Sequence, residues 1–292
     1  MVMGSSIKSL KTPLRYPGGK SRACKKMDPY IPDLRNYDSY YEPFLGGGSV
    51  AIHITKKYPH LKINVSDLYE PLYNFWVCLQ KRGEQMAGEL KELKSSHSTP
   101  DLAKELFLES KKIINDEDKS RLDRAIAFYI VNKCSFSGLT ESSSFSKQAS
   151  NSNFTLRGIT KLPAYQELIS DWRIVNYYYS KLMIEVYWTA NRKPFLYLDP
   201  PYDIKDNLYG KGGEMHKKFD HDDFAEYCEN FRAKLLISYN SDQLVKKRFK
   251  EWNVAEFDLT YTMRSVGEYM REQKTRKELL IFNYDIEEPI NG

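Results

Sequence analysis

The sequence predicts an α/β fold, a mainly parallel sheet with helices, interrupted by a helical insertion. Two long stretches, Pro13 to about Gln80 and Trp172 to the end, alternate short apolar runs with helix-period segments, the rhythm of βαβ units. Between them, residues 81–171 begin with Lys- and Glu-rich helical segments, through Asn115, with nothing strand-like between those segments. Two of the apolar runs stop abruptly, one in glycines and one in an acid followed by prolines. Ligands collect at such strand ends in parallel sheets.

Composition narrows the class. With 292 residues, 41% hydrophobic and 28% charged, the chain can bury a substantial core and is too apolar to be disordered. A net charge of +5 is compatible with a nucleic-acid partner without indicating one. Cys24, Cys78, Cys134 and Cys228 are far apart, and no histidine joins them at zinc-site spacing. The expectation is free thiols in a reducing compartment and no metal. No apolar run reaches the ~18–20 residues of a membrane span, and the first dozen residues lack a signal-peptide core. A soluble cytoplasmic protein with no membrane partner is expected.

In chain order, "LRYPGGKSR" (Leu14 to Arg22) comes first. Pro17 fixes its own φ, and Gly18 and Gly19 permit a sharp turn, so Lys20 is presented from the start of a short helix. The pattern is not a Walker loop, because G-x-x-x-x-G-K-[ST] is not met. "DSYYEPF" follows as a strand and "GGGSVAIHITKKY" as a turn into a helix. Gly46, Gly48 and Ala51 satisfy G-x-G-x-x-G/A, and Asp67 ends the next strand, "LKINVSD". That combination indicates a nucleoside ligand whose ribose needs an acceptor, and it fits a dinucleotide as well as S-adenosylmethionine. "LYEPLYNFWVCLQK" is an aromatic-rich helix and "RLDRAIAFYIVNK" a buried one. "SGLTESSSFSKQASNSNFTLRG" has the composition of a linker. "RIVNYYYS", "KPFLYLD", "AKLLISY" and "NVAEFDL" are strands, and "KELLIFNY" closes the chain in a hairpin.

"FLYLDPPY" carries the sharpest chemistry. Asp199 ends an apolar strand, and Pro200 and Pro201 force the chain out of the sheet extended. A proline offers only a carbonyl acceptor, so the Asp199 carboxylate and the Pro200 carbonyl form a fixed acceptor cluster beside the flat ring of Tyr202. Such a cluster suits a planar amine. Acceptors out of the ring plane return electron density to an exocyclic nitrogen whose lone pair is otherwise delocalised, readying it to attack a sulfonium methyl.

The segments "LRYPGGK", "YYEPFLGGGSV", "INVSDLYEPLYNFW", "NKCSFSGL", "FLYLDPPY", "LLISYNSD" and "RKELLIFNY" together resemble the Dam-type (D-P-P-Y) DNA adenine-N6 methyltransferase family, in order and over nearly the whole chain. The resemblance implies a doubly wound, Rossmann-like methyltransferase sheet ending in an antiparallel hairpin, with an inserted, mainly helical target-recognition domain. Residues 1–80 and 172–292 would form the catalytic domain and 81–171 the insertion. It implies S-adenosylmethionine as methyl donor, double-stranded DNA as partner and a role in restriction-modification. Tyr16, Lys20, Phe44, Gly46, Gly48, Asp67 and Asp199 would bind the cofactor, and Asp199, Pro200, Pro201 and Tyr202 would form the catalytic loop. Tyr202 would stack on an adenine flipped out of the duplex, since a stacked base cannot reach such a pocket.

The insertion departs from the family's basic hairpin signature and has "TESSSFSKQASNSNFTLRG" instead. Lys147, Gln148, Asn151, Asn153 and Arg157 are its candidates for base edges, with Gln and Asn suited to adenine and Arg to guanine. Each also stands as an ordinary solvated loop residue. The basic stretch 262–278 is a candidate phosphate contact or a solvated face. Three alternatives remain beside the leading one. A nicotinamide oxidoreductase accounts for the glycine turn and Asp67 but leaves D-P-P-Y without a role. A catalytically silent DNA-binding scaffold and an RNA adenine methyltransferase are the others. The oligomeric state is not fixed by the sequence, and a monomer is compatible with it.

Overall fold

The computed structural model describes residues 5–16, 18–136, 143–188, 193–202, 219–259 and 276–286. Within these, β1 (Ser39–Glu42), β2 (Lys62–Ser66), β3 (Arg173–Val175), β4 (Pro194–Leu198), β5 (Lys234–Asn240), β6 (Asn253–Leu259) and β7 (Arg276–Phe282) form one sheet. Their order is β3-β2-β1-β4-β5-β7-β6. The pairs among β1 to β5 are parallel, and β7 runs antiparallel between β5 and β6. The chain builds outward from β1 through β2 to β3, then returns to start β4 on the other side of β1. That reversal is a topological switch point, with the C-terminal ends of β1 and β4 side by side.

Strand alternation sorts the core onto the two faces of the sheet. Tyr40, Phe195, Tyr197, Leu236 and Leu280 belong to one buried cluster, and Tyr41, Leu196, Leu198, Leu235, Ile237, Leu279 and Ile281 to the other. Both faces are covered, which is why these strands are almost continuously apolar. The α/β sheet and its antiparallel terminal hairpin agree with the sequence expectation.

One face carries α1 (Ser49–Lys57) and the aromatic helix α2 (Glu70–Ser96). The sequence suggests that this helix ends near Lys81, yet it runs on to Ser96 past a non-helical Arg82 (φ −141°). Gly83 sits just beyond the kink, and a Cβ there would lie 2.7 Å from Cβ of Gln166, in α7 (Leu162–Leu168). Between α2 and α7 come α3 (Pro100–Ile113) and α4 (Arg121–Cys134). Each of these starts at a capped N-terminus. Thr99 accepts from the N–H of Leu102, and Ser120 from that of Asp123. Ala125 to Val131 of α4 are all buried, as the apolar spacing predicts.

The Ser/Asn-rich stretch is not a plain linker. It forms α5 (Lys147–Asn153) and α6 (Leu156–Ile159), with residues 137–142 outside the described set. Buried Ala149, Phe154 and Ile159 anchor these short helices, three apolar contacts that the polar composition conceals. All four cysteines are free and buried. Among the described residues no helix is long and apolar enough to cross a membrane, and no cluster of His, Cys, Asp or Glu could hold a metal ion.

Candidate active site

Asp199 stands one residue beyond β4, at the switch point. Lys20 reaches it from the first motif, whose turn is closed by the Gly19 N–H donating to the Tyr16 carbonyl at 3.0 Å. Gly18 adopts φ +72° in that turn, a conformation that favours glycine, while Pro17 lies outside the described residues. The buried Lys20 ammonium donates to both oxygens of Asp199, at 2.8 and 2.9 Å, and to the Gly18 carbonyl at 2.9 Å. From β5, the Ser238 hydroxyl donates to Asp199 Oδ1 at 2.6 Å, and Tyr197 lies 2.7 Å from Ser238 Oγ. Oδ1 therefore accepts twice and Oδ2 once. A carboxylate has about four acceptor lobes, so among the described residues Oδ2 keeps one available.

Glu42, at the end of β1, is buried in the same neighbourhood and takes a hydrogen bond from the Tyr40 hydroxyl at 2.6 Å. Burial pushes its carboxyl well above the usual range, against the Tyr40 bond, and the Asp199 charge pushes the same way. Tyr202 lies over the same centre, with the Lys20 ammonium 4.9 Å from its ring centroid. Pro200 is buried, and Pro201 and Tyr202 are half-buried.

Asp67 follows β2, one strand away from β1. Its Oδ2 accepts from the Gly46 N–H at 2.9 Å and its Oδ1 from the Tyr69 N–H at 3.0 Å. Burial still raises its pKa to about 6, because two backbone donors only partly replace water. The glycine turn has an additional reason to be glycine. Gly46 and Gly48 adopt φ +49° and +65°, and a Cβ would sit 3.0 Å from the Tyr16 ring at Gly46 and 2.6 Å from the Trp76 ring at Gly48. Trp76 also donates its indole N–H to the Gly46 carbonyl at 3.0 Å. The turn is thus clamped between two rings, with Asp67 tied to its first glycine. A preset carboxylate with further acceptor lobes beside a strand-end turn fits the two hydroxyls of a ribose. Phe44 stacks on Tyr179 (5.5 Å between centroids) in an aromatic cluster with Phe219 and Phe224.

The first motif is fastened from α4. Buried Asn132 accepts the Arg15 N–H at 2.9 Å and donates to the Arg15 carbonyl at 2.6 Å, while the Arg15 guanidinium reaches the Ser135 carbonyl at 2.8 Å. Asn132→Leu is expected to cost about 2–4 kcal/mol, because it leaves two backbone groups unsatisfied. A urea midpoint unchanged from wild type would refute that role.

Lys147, Gln148 and Asn151 are exposed on one face of α5, and Arg157 is exposed on α6. Asn153 is half-buried and turns its amide back to the Ala149 carbonyl at 3.1 Å. Of the basic stretch, residues 262–275 lie outside the described set. The structure adds Ser238, Glu278, Glu42 and Asn132 to the site and its supports. Each lies inside a segment that carries the family resemblance, but composition alone gave none of them a role.

A model of the D12 class N6 adenine-specific DNA methyltransferases matches residues 16–263. Type II methyltransferase M.MjaIII from Methanocaldococcus jannaschii is 24% identical, over 93% of this chain and 98% of its own. Type II methyltransferase M1.LlaDCHI from Lactococcus lactis subsp. cremoris is 21% identical, over 92% and 94%. Modification methylase StsI from Streptococcus sanguinis is 23% identical, over 97% of this chain and 44% of that protein.

Proposed function

Because this chain belongs to the D12 class N6 adenine-specific DNA methyltransferases, enzymes that methylate adenine N6 in DNA, we propose how its own residues perform that reaction. The methyl donor is S-adenosylmethionine and the substrate is duplex DNA, from which the target adenine is flipped. The acceptor lobe left on Asp199 Oδ2, at the switch point and beside Tyr202, carries this reading.

S-adenosylmethionine, when bound, supplies an electrophilic methyl group. Asp67 takes its ribose hydroxyls, and Tyr16, Lys20, Phe44, Gly46 and Gly48 frame it. The adenine amine donates one N–H to Asp199 Oδ2 and the other to the Pro200 carbonyl. These acceptors draw the nitrogen toward tetrahedral geometry and restore its lone pair. Transfer would break the methyl–sulfur bond, leaving a neutral thioether, as the carbon–nitrogen bond forms; the Asp199 carboxylate would stabilise the positive charge building on nitrogen, which would then be lost as a proton to solvent. Lys20 and Ser238 fix the rotation of that carboxylate. Pro200 and Pro201 hold the loop, and Tyr202 stacks on the base.

Flipping costs a few kcal/mol of unstacking, offset by this stacking and the two hydrogen bonds. The exposed side chains of Lys147, Gln148, Asn151 and Arg157 face solvent, where base edges can be met, and Asn153 keeps its carbonyl as an acceptor. Site-specific modification, as practised by Type II enzymes, follows if those side chains read sequence.

The test is transfer of labelled methyl from S-adenosylmethionine to unmethylated duplex DNA, with base-level mapping. Label in N6-methyladenine at one short recurring sequence is the expected result. Label in RNA only, or none despite cofactor binding, would defeat the proposal.

A further inference from the structure

We propose that Glu278 is a positioning residue for methyl transfer, fixing the plane of the Tyr202 ring on which the target base stacks. The inference rests on the reading above and concerns a residue outside the D-P-P-Y loop. β7 runs antiparallel to β5, so its first residues lie at the end of the sheet where the parallel strands terminate. Glu278 is the third residue of β7, opposite Asn240 on one side and Phe257 on the other. It is 2% exposed, and a carboxylate in such a place needs a purpose or a partner.

The Tyr202 hydroxyl donates into this carboxylate, 2.8 Å from Oε1 and 2.6 Å from Oε2. The ring of Tyr202 also lies 6.2 Å from that of Tyr239, at 30° between planes. Tyr239 is itself held through its hydroxyl, 2.8 Å from Nδ1 of His221. The Lys20 ammonium lies 4.9 Å from the centroid of the Tyr202 ring. The ring is thus secured at its far tip by β7 and along its body by β5. A tyrosine on a loop has two free side-chain torsions, and a stacked base has to immobilise both. Anchoring the hydroxyl settles them in advance. The loss of one such constraint corresponds to about three- to tenfold in rate.

The hairpin therefore does more than extend the sheet beyond β5. Reversing the last strand brings position 278 to the catalytic end of the sheet.

The experiment is a double-mutant cycle on methyl transfer to duplex DNA, with kcat and the cofactor KM measured separately. Tyr202→Phe and Glu278→Leu are each expected to lower kcat about three- to tenfold with the cofactor KM unchanged. The double variant is expected to fall no further than the more impaired single, because both remove the same hydrogen bond. Glu278→Gln, which keeps an acceptor oxygen, is expected to retain more activity than Glu278→Leu. If Glu278→Leu fails to fold, the cycle of Tyr202→Phe with Glu278→Gln is expected to show a smaller coupling of the same sign, because the amide oxygen is the weaker acceptor. Losses that multiply, or a kcat for Glu278→Leu equal to wild type, would overturn the inference while leaving the enzyme assignment intact. A wild type inert on DNA would instead overturn the underlying reading.

Discussion

Asp199→Ala is expected to lower kcat by about a hundred- to a thousandfold while the protein still folds. The substitution removes the acceptor lobe for the amine and the negative charge that meets positive charge on nitrogen. It also strips the Lys20 ammonium of two of its hydrogen bonds. Removing one partner of a fully buried ion pair costs about 3–5 kcal/mol. Here the Asp199 side chain keeps 22% of its exposure, so water repays part of that and the loss belongs at or below the lower end. Adding Lys20→Met to Asp199→Ala then separates the two roles. The double variant should recover most of the urea stability and none of the transfer. Transfer by Asp199→Ala within a few-fold of wild type would remove Asp199 from the mechanism.

Much of this centre is legible in the sequence because its parts sit where chain geometry is forced. Asp199 ends an apolar run and is followed by two prolines, so its place at a strand end needs no tertiary knowledge. Asp67 and the glycine turn are likewise fixed by strand-end spacing. Ser238 and Glu278 are different. Each lies within a strand pattern, where a polar residue looks like any outward-facing position. Their importance depends on which strand lies beside β4, and on β7 running in reverse. Register of that kind is a long-range fact. Asn132 was hidden for a similar reason, since a polar residue near a helix end gives no sign that it clasps the backbone of Arg15, far off in sequence. The glycines show the converse: the pattern marks a tight turn, and the rings of Tyr16 and Trp76 give Gly46 and Gly48 a further cause. In the Ser/Asn-rich stretch the polar composition conceals Ala149, Phe154 and Ile159, the buried apolar residues around which its short helices form.

Cofactor binding is expected to weaken steeply below about pH 6, through Asp67. An aspartate ordinarily titrates near 3.8, and burial raises this one to about 6, against the hydrogen bonds from Gly46 and Tyr69. Between those values the folded protein holds a proton that the unfolded chain has released. Stability conferred by that proton is therefore present at low pH and lost as pH rises from 3.8 to about 6, on the order of 3 kcal/mol in all. Ribose hydroxyls ask for the opposite state, because they donate into an ionised carboxylate. Binding must then expel the proton below pH 6, and the dissociation constant should rise by up to about tenfold per pH unit there and level off above about pH 7. Asp67→Ala should flatten that profile. It should also weaken binding by about ten- to a hundredfold at pH 7.5, the worth of hydrogen bonds to a charged acceptor, with kcat at saturation little changed. Calorimetric titration with S-adenosylhomocysteine across pH 5 to 8 measures both effects without turnover. A flat wild-type profile, or the same slope in Asp67→Ala, would mean that the ribose is held elsewhere.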